Sequence, residues 1–215
     1  FKSFRQGVPE HVSDAHAKEL MKDVRGGMGL KESVDYGQFK AIFVTGGPGS
    51  GKDLVIRESI ALEGIVEINT IQAYDYLADK KKLFERSTDF RREAIRTRAP
   101  IIINGPAESI EKTLYIREEL QELGYDTKMI FVETTDEASR LRNQTHKRVM
   151  SESVRREKWL KSQENKSVFE ESFRSLVVFD NTGSVDTKEQ EIHDIYCAAN
   201  IFLESNICES AINWL

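Results

Sequence analysis

The sequence predicts an α/β domain in which a mostly parallel, five-stranded sheet lies between two layers of helices. Three observations carry this expectation. Five apolar runs alternate with segments of helical periodicity, the pattern of parallel strands joined by helical crossovers. The third run, Ile101-Ile102-Ile103-Asn104, is unbroken and β-branched, as suits a central strand covered on both faces. The first run, Phe39 to Val44, leads directly into Thr45-Gly46-Gly47-Pro48-Gly49-Ser50-Gly51-Lys52-Asp53, a glycine-rich turn between a strand and a helix. A chain of 215 residues is long enough for one such domain with a sizeable core.

The elements follow in order. Residues 1–12 read as a polar leader, and Ser13 as the cap of a helix running to about Arg25. Ala15, Leu20, Met21 and Val24 give that helix one apolar face. Gly26-Gly27-Met28-Gly29 ends it. Residues 1–38 are thus an N-terminal helical extension, expected to pack on a main domain at 39–204. In that domain a helix follows the glycine turn from Leu54 to Leu62, and a second strand covers Ile65 to Asn69. Helical pattern resumes over Ile71 to Asp79 and again from about Leu83 to Arg98. Pro100 opens the third strand and Gly105-Pro106 stops it. A helix over 107–123 ends at Gly124, which reads as its C-cap. The fourth strand is Thr127 to Glu133, residues 135–174 are helical and highly charged, and the fifth strand is Leu176 to Phe179. A last helix covers about Thr187 to Leu203, followed by a tail at 205–215 with Ile212, Trp214 and Leu215 as anchors. No repeat or low-complexity linker divides the chain.

The glycine turn carries the chemistry. Gly46, four residues, then Gly51-Lys52 fits G-x-x-x-x-G-K, the P-loop pattern. A loop that wraps a triphosphate must turn backbone N–H groups inward, and side chains would obstruct that approach. The following helix adds unpaired N–H groups and a positive dipole end. Gly47, Pro48, Gly49, Ser50, Gly51, Lys52 and Asp53 are therefore the expected nucleotide-binding residues, with Lys52 reaching the β- and γ-phosphates. The residue after the lysine is ordinarily Ser or Thr, whose hydroxyl meets Mg²⁺. Asp53 stands there instead. A carboxylate is a hard oxygen ligand that suits Mg²⁺, directly or through water, so Asp53 is the expected metal residue. The plainer alternative is a charge that only stabilises the helix start.

Other candidates are placed by position. Arg140, Arg142 and Arg148, with Arg155 and Arg156 behind them, lie in the helical segment after the fourth strand. Arginines on a lid there could stabilise charge on a transferring phosphoryl group, whereas a solvated helix face paired with Glu137, Glu152 and Glu157 explains them structurally. Asn181 follows the fifth strand, where a turn can flank the nucleotide base, or simply form an Asx turn. Asp75 follows the second strand and is the candidate to orient an acceptor hydroxyl. Arg86, Arg91 and Arg92 could bind an anionic acceptor or form a helix face. Asn104 ends the third strand, where an acidic residue would complete a metal site, and Glu133 offers a carboxylate at the end of the fourth. The four histidines show no metal-ligand spacing.

These residues resemble the zeta-toxin-like group of P-loop kinases, especially phage-encoded members. The resemblance runs from Phe39 to Asn181. It rests on Gly46-Gly47-Pro48-Gly49-Ser50-Gly51-Lys52, Gly124-Tyr125, Arg142-Asn143, Arg148-Val149-Met150-Ser151-Glu152, Trp159, Gln163, Asn165 and Val177-Val178-Phe179-Asp180-Asn181. It implies a P-loop NTPase-type fold and ATP-dependent phosphoryl transfer to a small molecule, with lid arginines at the phosphates. Three features depart from it. Asp53 replaces Ser or Thr, as it does in phage deoxynucleoside monophosphate kinases and animal phosphomevalonate kinases; the acidic pair expected near Asn69-Thr70-Ile71 is missing; and His146 stands where a second lid arginine is common. The nucleotide-sugar acceptor of the toxins is therefore not carried over.

The expected function is a phosphotransferase that uses ATP or another NTP with Mg²⁺ on a small-molecule or nucleotide acceptor. The alternative is an NTP-binding accessory or assembly protein, such as a phage might encode. A formal charge of −5 argues against broad nucleic-acid binding. No run of about 18 apolar residues exists, so no membrane span is expected. Cys197 and Cys208 lack metal spacing, and residues 1–10 are too polar for a signal peptide. A reduced, cytoplasmic setting follows, in a host cell if the chain is phage-encoded. A chain opening on Phe1 is expected to be a processed or trimmed product.

Overall fold

A computed structural model describes residues 37–60, 65–69, 89, 91–146, 149–183, 188–208 and 211. The expected N-terminal helix at 13–25, the helix at 71–79, and Asp75, Arg86 and Arg148 lie outside these residues. Five strands form one sheet: β1 (Lys40–Gly46), β2 (Val66–Asn69), β3 (Ile101–Pro106), β4 (Asp126–Glu133) and β5 (Leu176–Asp180). Their order is β2-β3-β1-β4-β5 and every pairing is parallel. The expected α/β architecture, a parallel five-stranded sheet with helices, is therefore present. The helices are α1 (Lys52–Ser59), α2 (Ile110–Glu122), α3 (Asp136–Thr145), α4 (Glu152–Glu164), α5 (Lys166–Ser172) and α6 (Glu189–Glu204), with a further helical stretch at 91–96. The highly charged segment expected to be helical over 135–174 resolves into α3, α4 and α5.

Strand alternation sorts the core onto two faces. Ala41, Phe43, Ile101, Ile103, Met129 and Phe131 meet Ile116 and Leu120 of α2 and Phe169 of α5. Ile42, Val44, Ile102, Ile130 and Val132 meet Val55 and Ile56 of α1 and Ile195, Ala199 and Leu203 of α6. Both faces of the inner strands are thus covered, which is why they read as unbroken apolar runs rather than alternating ones. Fully burying a side chain such as Phe131 contributes about 2–3 kcal/mol. Gly124 takes a φ of 86° and its N–H meets Gln121 O, closing α2 as its sequence position suggested. Beyond α6, Ser205 and Asn206 accept hydrogen bonds from buried Lys40, and Ala211 is fully buried against the α2-side core.

The order of strands fixes where a site can be. The chain leaves β1, builds β2 and β3 on one side, then crosses to β4 and β5 on the other. The carboxyl end of β1 is the point where the winding reverses, and open α/β sheets bind ligands there. The glycine loop occupies that position. Among the described residues, no helix is long and apolar enough to cross a membrane.

Candidate functional site

The loop begins where β1 runs out of pairing partners. Gly46 still pairs with Pro106 and Val132, and a Cβ there would lie 2.2 Å from Val132 O. Gly51, at the N-cap of α1, has a φ of 92°, and a Cβ on it would lie 2.2 Å from Asn181 Nδ2. Glycine is required at the first for close approach and at the second for conformation as well. Among the described residues no side chain caps α1, so its first N–H groups are left for another acceptor. Ser50 is buried, and its Oγ has no hydrogen-bond partner among the described residues.

Lys52 folds back across the loop. Its Nζ donates to Gly46 O at 3.0 Å and Gly47 O at 3.1 Å. Burial lowers its pKa to about 8, against the opposing pull of the Asp53 and Glu108 carboxylates.

Asp53 sits in the first turn of α1, exposed, and its Oδ1 accepts from Asn104 Nδ2 at 2.9 Å. The same nitrogen donates to Glu67 Oε1 at 3.1 Å. Register explains the meeting: Glu67 pairs with Ile102, two residues before Asn104, so both side chains emerge on the α1 side of the sheet. Asn104 is fully buried, and two carboxylate neighbours dictate that its NH₂ faces them. One amide thereby holds the two carboxylate oxygens within about 6 Å of each other. Sequence reasoning saw Asn104 as a missing acid; it missed Glu67, which strand alternation could have placed on the same face.

The residues after β4 brace the loop. Arg142 donates to Gly49 O at 3.1 Å through Nη1 and to Asn181 O at 2.7 Å through Nη2, tying the loop to the turn after β5. Desolvation lowers its pKa. Asn181 is buried and donates from Nδ2 to Ser50 O at 2.7 Å. Asn143 clamps Met150 through both its N–H and its carbonyl, closing the connection between α3 and α4. Arg155, wholly buried, pairs with Glu152 and Asp136 and donates to Ser139 Oγ, which in turn donates to Pro48 O at 2.7 Å. Trp159 Nε1 donates to Thr134 O, and Asn165 Nδ2 to Ala107 O. Arg142, Asn143, Glu152, Trp159 and Asn165, all placed by the sequence motif, are thus members of one scaffold around the loop.

Other candidates lie apart from it. Arg140 is exposed on α3. Arg91 is buried in an ion pair with Glu119 of α2, on the opposite side of the sheet from α1, and exposed Arg92 lies 3.6 Å from Asp89. Glu133 pairs with Lys166 at 2.6 Å.

No protein-family model matches the sequence, and no curated protein matches it. Solved structures do share the fold. One from the PezAT chromosomal toxin-antitoxin system of Streptococcus pneumoniae is 17% identical with a TM-score of 0.54, over 90% of this chain and 98% of that one. A structure of AvrRxo1-ORF1:-ORF2 with ATP is 15% identical with a TM-score of 0.51, over 84% of this chain and 64% of that one. A chain of the Pnkp1/Rnl/Hen1 RNA repair complex is 17% identical with a TM-score of 0.52, over 65% of this chain and 48% of that one.

Proposed function

We propose that this chain is a kinase of the zeta-toxin-like type, binding ATP or another NTP with Mg²⁺ and passing a phosphoryl group to a small molecule or nucleotide. The observation that carries the reading is Lys52, folded over a glycine cradle at the point where the sheet reverses its winding. Its ammonium is held by loop carbonyls at the place where phosphate oxygens would lie. The uncapped start of α1 and the orphaned Ser50 Oγ supply further donors. A protein of this fold has been solved with ATP, which agrees with the reading.

In this reading, Gly47 to Asp53 wrap the phosphates and Asn181 flanks the base. Arg142 is a positioning residue that fixes loop and base-side turn together. Asp75 orients the acceptor hydroxyl, and Arg140 and Arg148 belong to a lid that closes over the phosphates. Residues 39–204 form the kinase domain, with 1–38 as an extension and 205–215 as a tail, in a cytoplasmic setting. The reading is tested by incubating the protein with γ-labelled ATP and a pool of metabolites and nucleotides. A labelled product is expected; retained ATP binding with no product would favour the accessory-protein alternative, which the neutral Asn104 supports.

The donor set at α1 suits Mg²⁺. Asp53 offers a hard oxygen, and Glu67, joined through Asn104, adds a second carboxylate within reach of a cation that keeps part of its water shell. When bound, Mg²⁺ neutralises charge on the phosphate oxygens. Asp53 itself repels an unmetallated triphosphate, so metal and nucleotide affinities are coupled. Asp53→Asn keeps an acceptor oxygen and removes the charge. We expect it to lower the ratio of ATP affinity in Mg²⁺ to that in EDTA by about tenfold, partly by improving metal-free binding; Asp53→Ser should restore an ordinary P-loop metal site. An unchanged ratio in both variants would leave Asp53 as a helix-start charge alone.

A further inference from the structure

We propose that Lys158 of α4 is a second phosphate-binding cation of this site, parked on Glu108 until a nucleotide enters. The inference rests on the phosphate-site reading above. Its basis is the way α4 lies along the loop. Near its start, Arg155 reaches Pro48 through Ser139. Near its end, Ser162 Oγ and Trp159 Cδ1 lie 2.7 and 3.4 Å from where a Cβ on Gly47 would be. Arg155, Lys158 and Ser162 are spaced three and four apart, so they share one helix face. Lys158 therefore sits between the two anchor points and overhangs the loop.

Its ammonium is paired with the Glu108 carboxylate. Glu108 follows β3 at the same edge of the sheet, and its charge is felt by Lys52. One carboxylate thus pairs directly with the lysine of the helix and acts at longer range on the lysine of the loop. Arginines near the loop are already committed: Arg142 spends donors on backbone carbonyls, Arg155 on Asp136, Glu152 and Ser139. Lys158 is on a flexible stem, partly exposed, and among the described residues its ammonium is paired with Glu108 alone. A triphosphate in the cradle carries more negative charge than Glu108 and draws the ammonium across. Glu108 then competes with phosphate, holding Lys158 in place while the site is empty and weakening nucleotide binding by its charge.

That competition makes the two halves of the pair behave oppositely. ATP is titrated against the full chain and against Lys158→Met, Glu108→Gln and, as a charge control, Lys161→Met on the exposed part of the same helix, with melting curves confirming that each is folded. Lys158→Met is expected to weaken ATP binding about ten- to hundredfold, the loss of a charge-assisted contact. Glu108→Gln should bind ATP as well as the wild type or several times more tightly, and Lys161→Met should be unchanged. A loss in both Lys158→Met and Glu108→Gln, or none in Lys158→Met, overturns the proposal and leaves the pair as a brace between α4 and β3. A wild type that binds no ATP overturns the phosphate-site reading itself, and this inference with it.

Discussion

Replacing Lys52 by Ala is expected to remove most of the thermal stabilisation that the proposed ATP binding would confer. A ligand present at 100 times its Kd stabilises the native state by about 2.7 kcal/mol, and a hundredfold weaker ligand at the same concentration by only about 0.4 kcal/mol. The loss should be specific, because the Lys52 ammonium is buried at a cost and its hydrogen bonds go to loop carbonyls. pH gives a second readout. The folded-state pKa of Lys52 is lowered to about 8 from an ordinary 10.5. Between those values the unfolded chain binds more protons than the native one, so stability without ligand rises with pH across that window. Below about 8 both states are protonated and the cost of the buried charge is fully present. The rise across the window, up to about 3 kcal/mol in size, should vanish in Lys52→Ala. ATP favours the charged ammonium, so the wild-type ATP shift should shrink as pH climbs past about 8. Melting temperatures with and without ATP from pH 7 to 10 measure both effects. An ATP shift of equal size in Lys52→Ala would defeat the P-loop reading.

How much of this was legible beforehand depends on the range of the interactions. The strands were readable because β1, β3 and β4 are buried on both faces, and their two alternating apolar sets leave no polar face to blur the pattern. The glycine loop was readable because its constraint is local: a positive φ at Gly51 and a strand-to-helix turn. Contacts between distant segments were not. Arg142 looked like a phosphate-facing lid residue, and nothing local shows that its guanidinium reaches carbonyls of the loop and of the β5 turn. Glu67 and Asp53 are fourteen positions apart and meet only because β2 lies beside β3 and Asn104 joins them. Asn104 read as a lost charge when taken alone; in the fold it is the group that brings two charges together. Arg155, read with its neighbours as part of a lid or of a solvated helix face, proves to be wholly buried.

Gly46→Ala should be the most damaging single methyl group in the site. The added Cβ would lie 2.2 Å from Val132 O, 3.2 Å from Val132 C and 2.7 Å from Ser50 Oγ. A side chain could rotate away, but Val132 O belongs to the backbone of β4, which pairs with β1 at that residue. Relief therefore requires β1 to part from β4 or the loop to swing off the sheet. The first disrupts the central pairing of the domain, and the second displaces Gly46 O, which accepts from both Lys52 Nζ and Ala107 N. Either route should destabilise the fold by about 3 kcal/mol or more, a fall in melting temperature of about 6–12 °C for a chain of this size. The ATP shift should fall with it, because Lys52 is referenced to the displaced carbonyl. Gly105→Ala is the matched control: it pairs with Thr45 one residue earlier in β1, and a Cβ there meets nothing within 4 Å. It should melt close to the wild type. If Gly46→Ala also melted within a degree or two of wild type and kept its ATP shift, the loop would not be wedged against β4 as the packing at Gly46 requires, and the rigid cradle on which the proposed phosphate site depends would be lost.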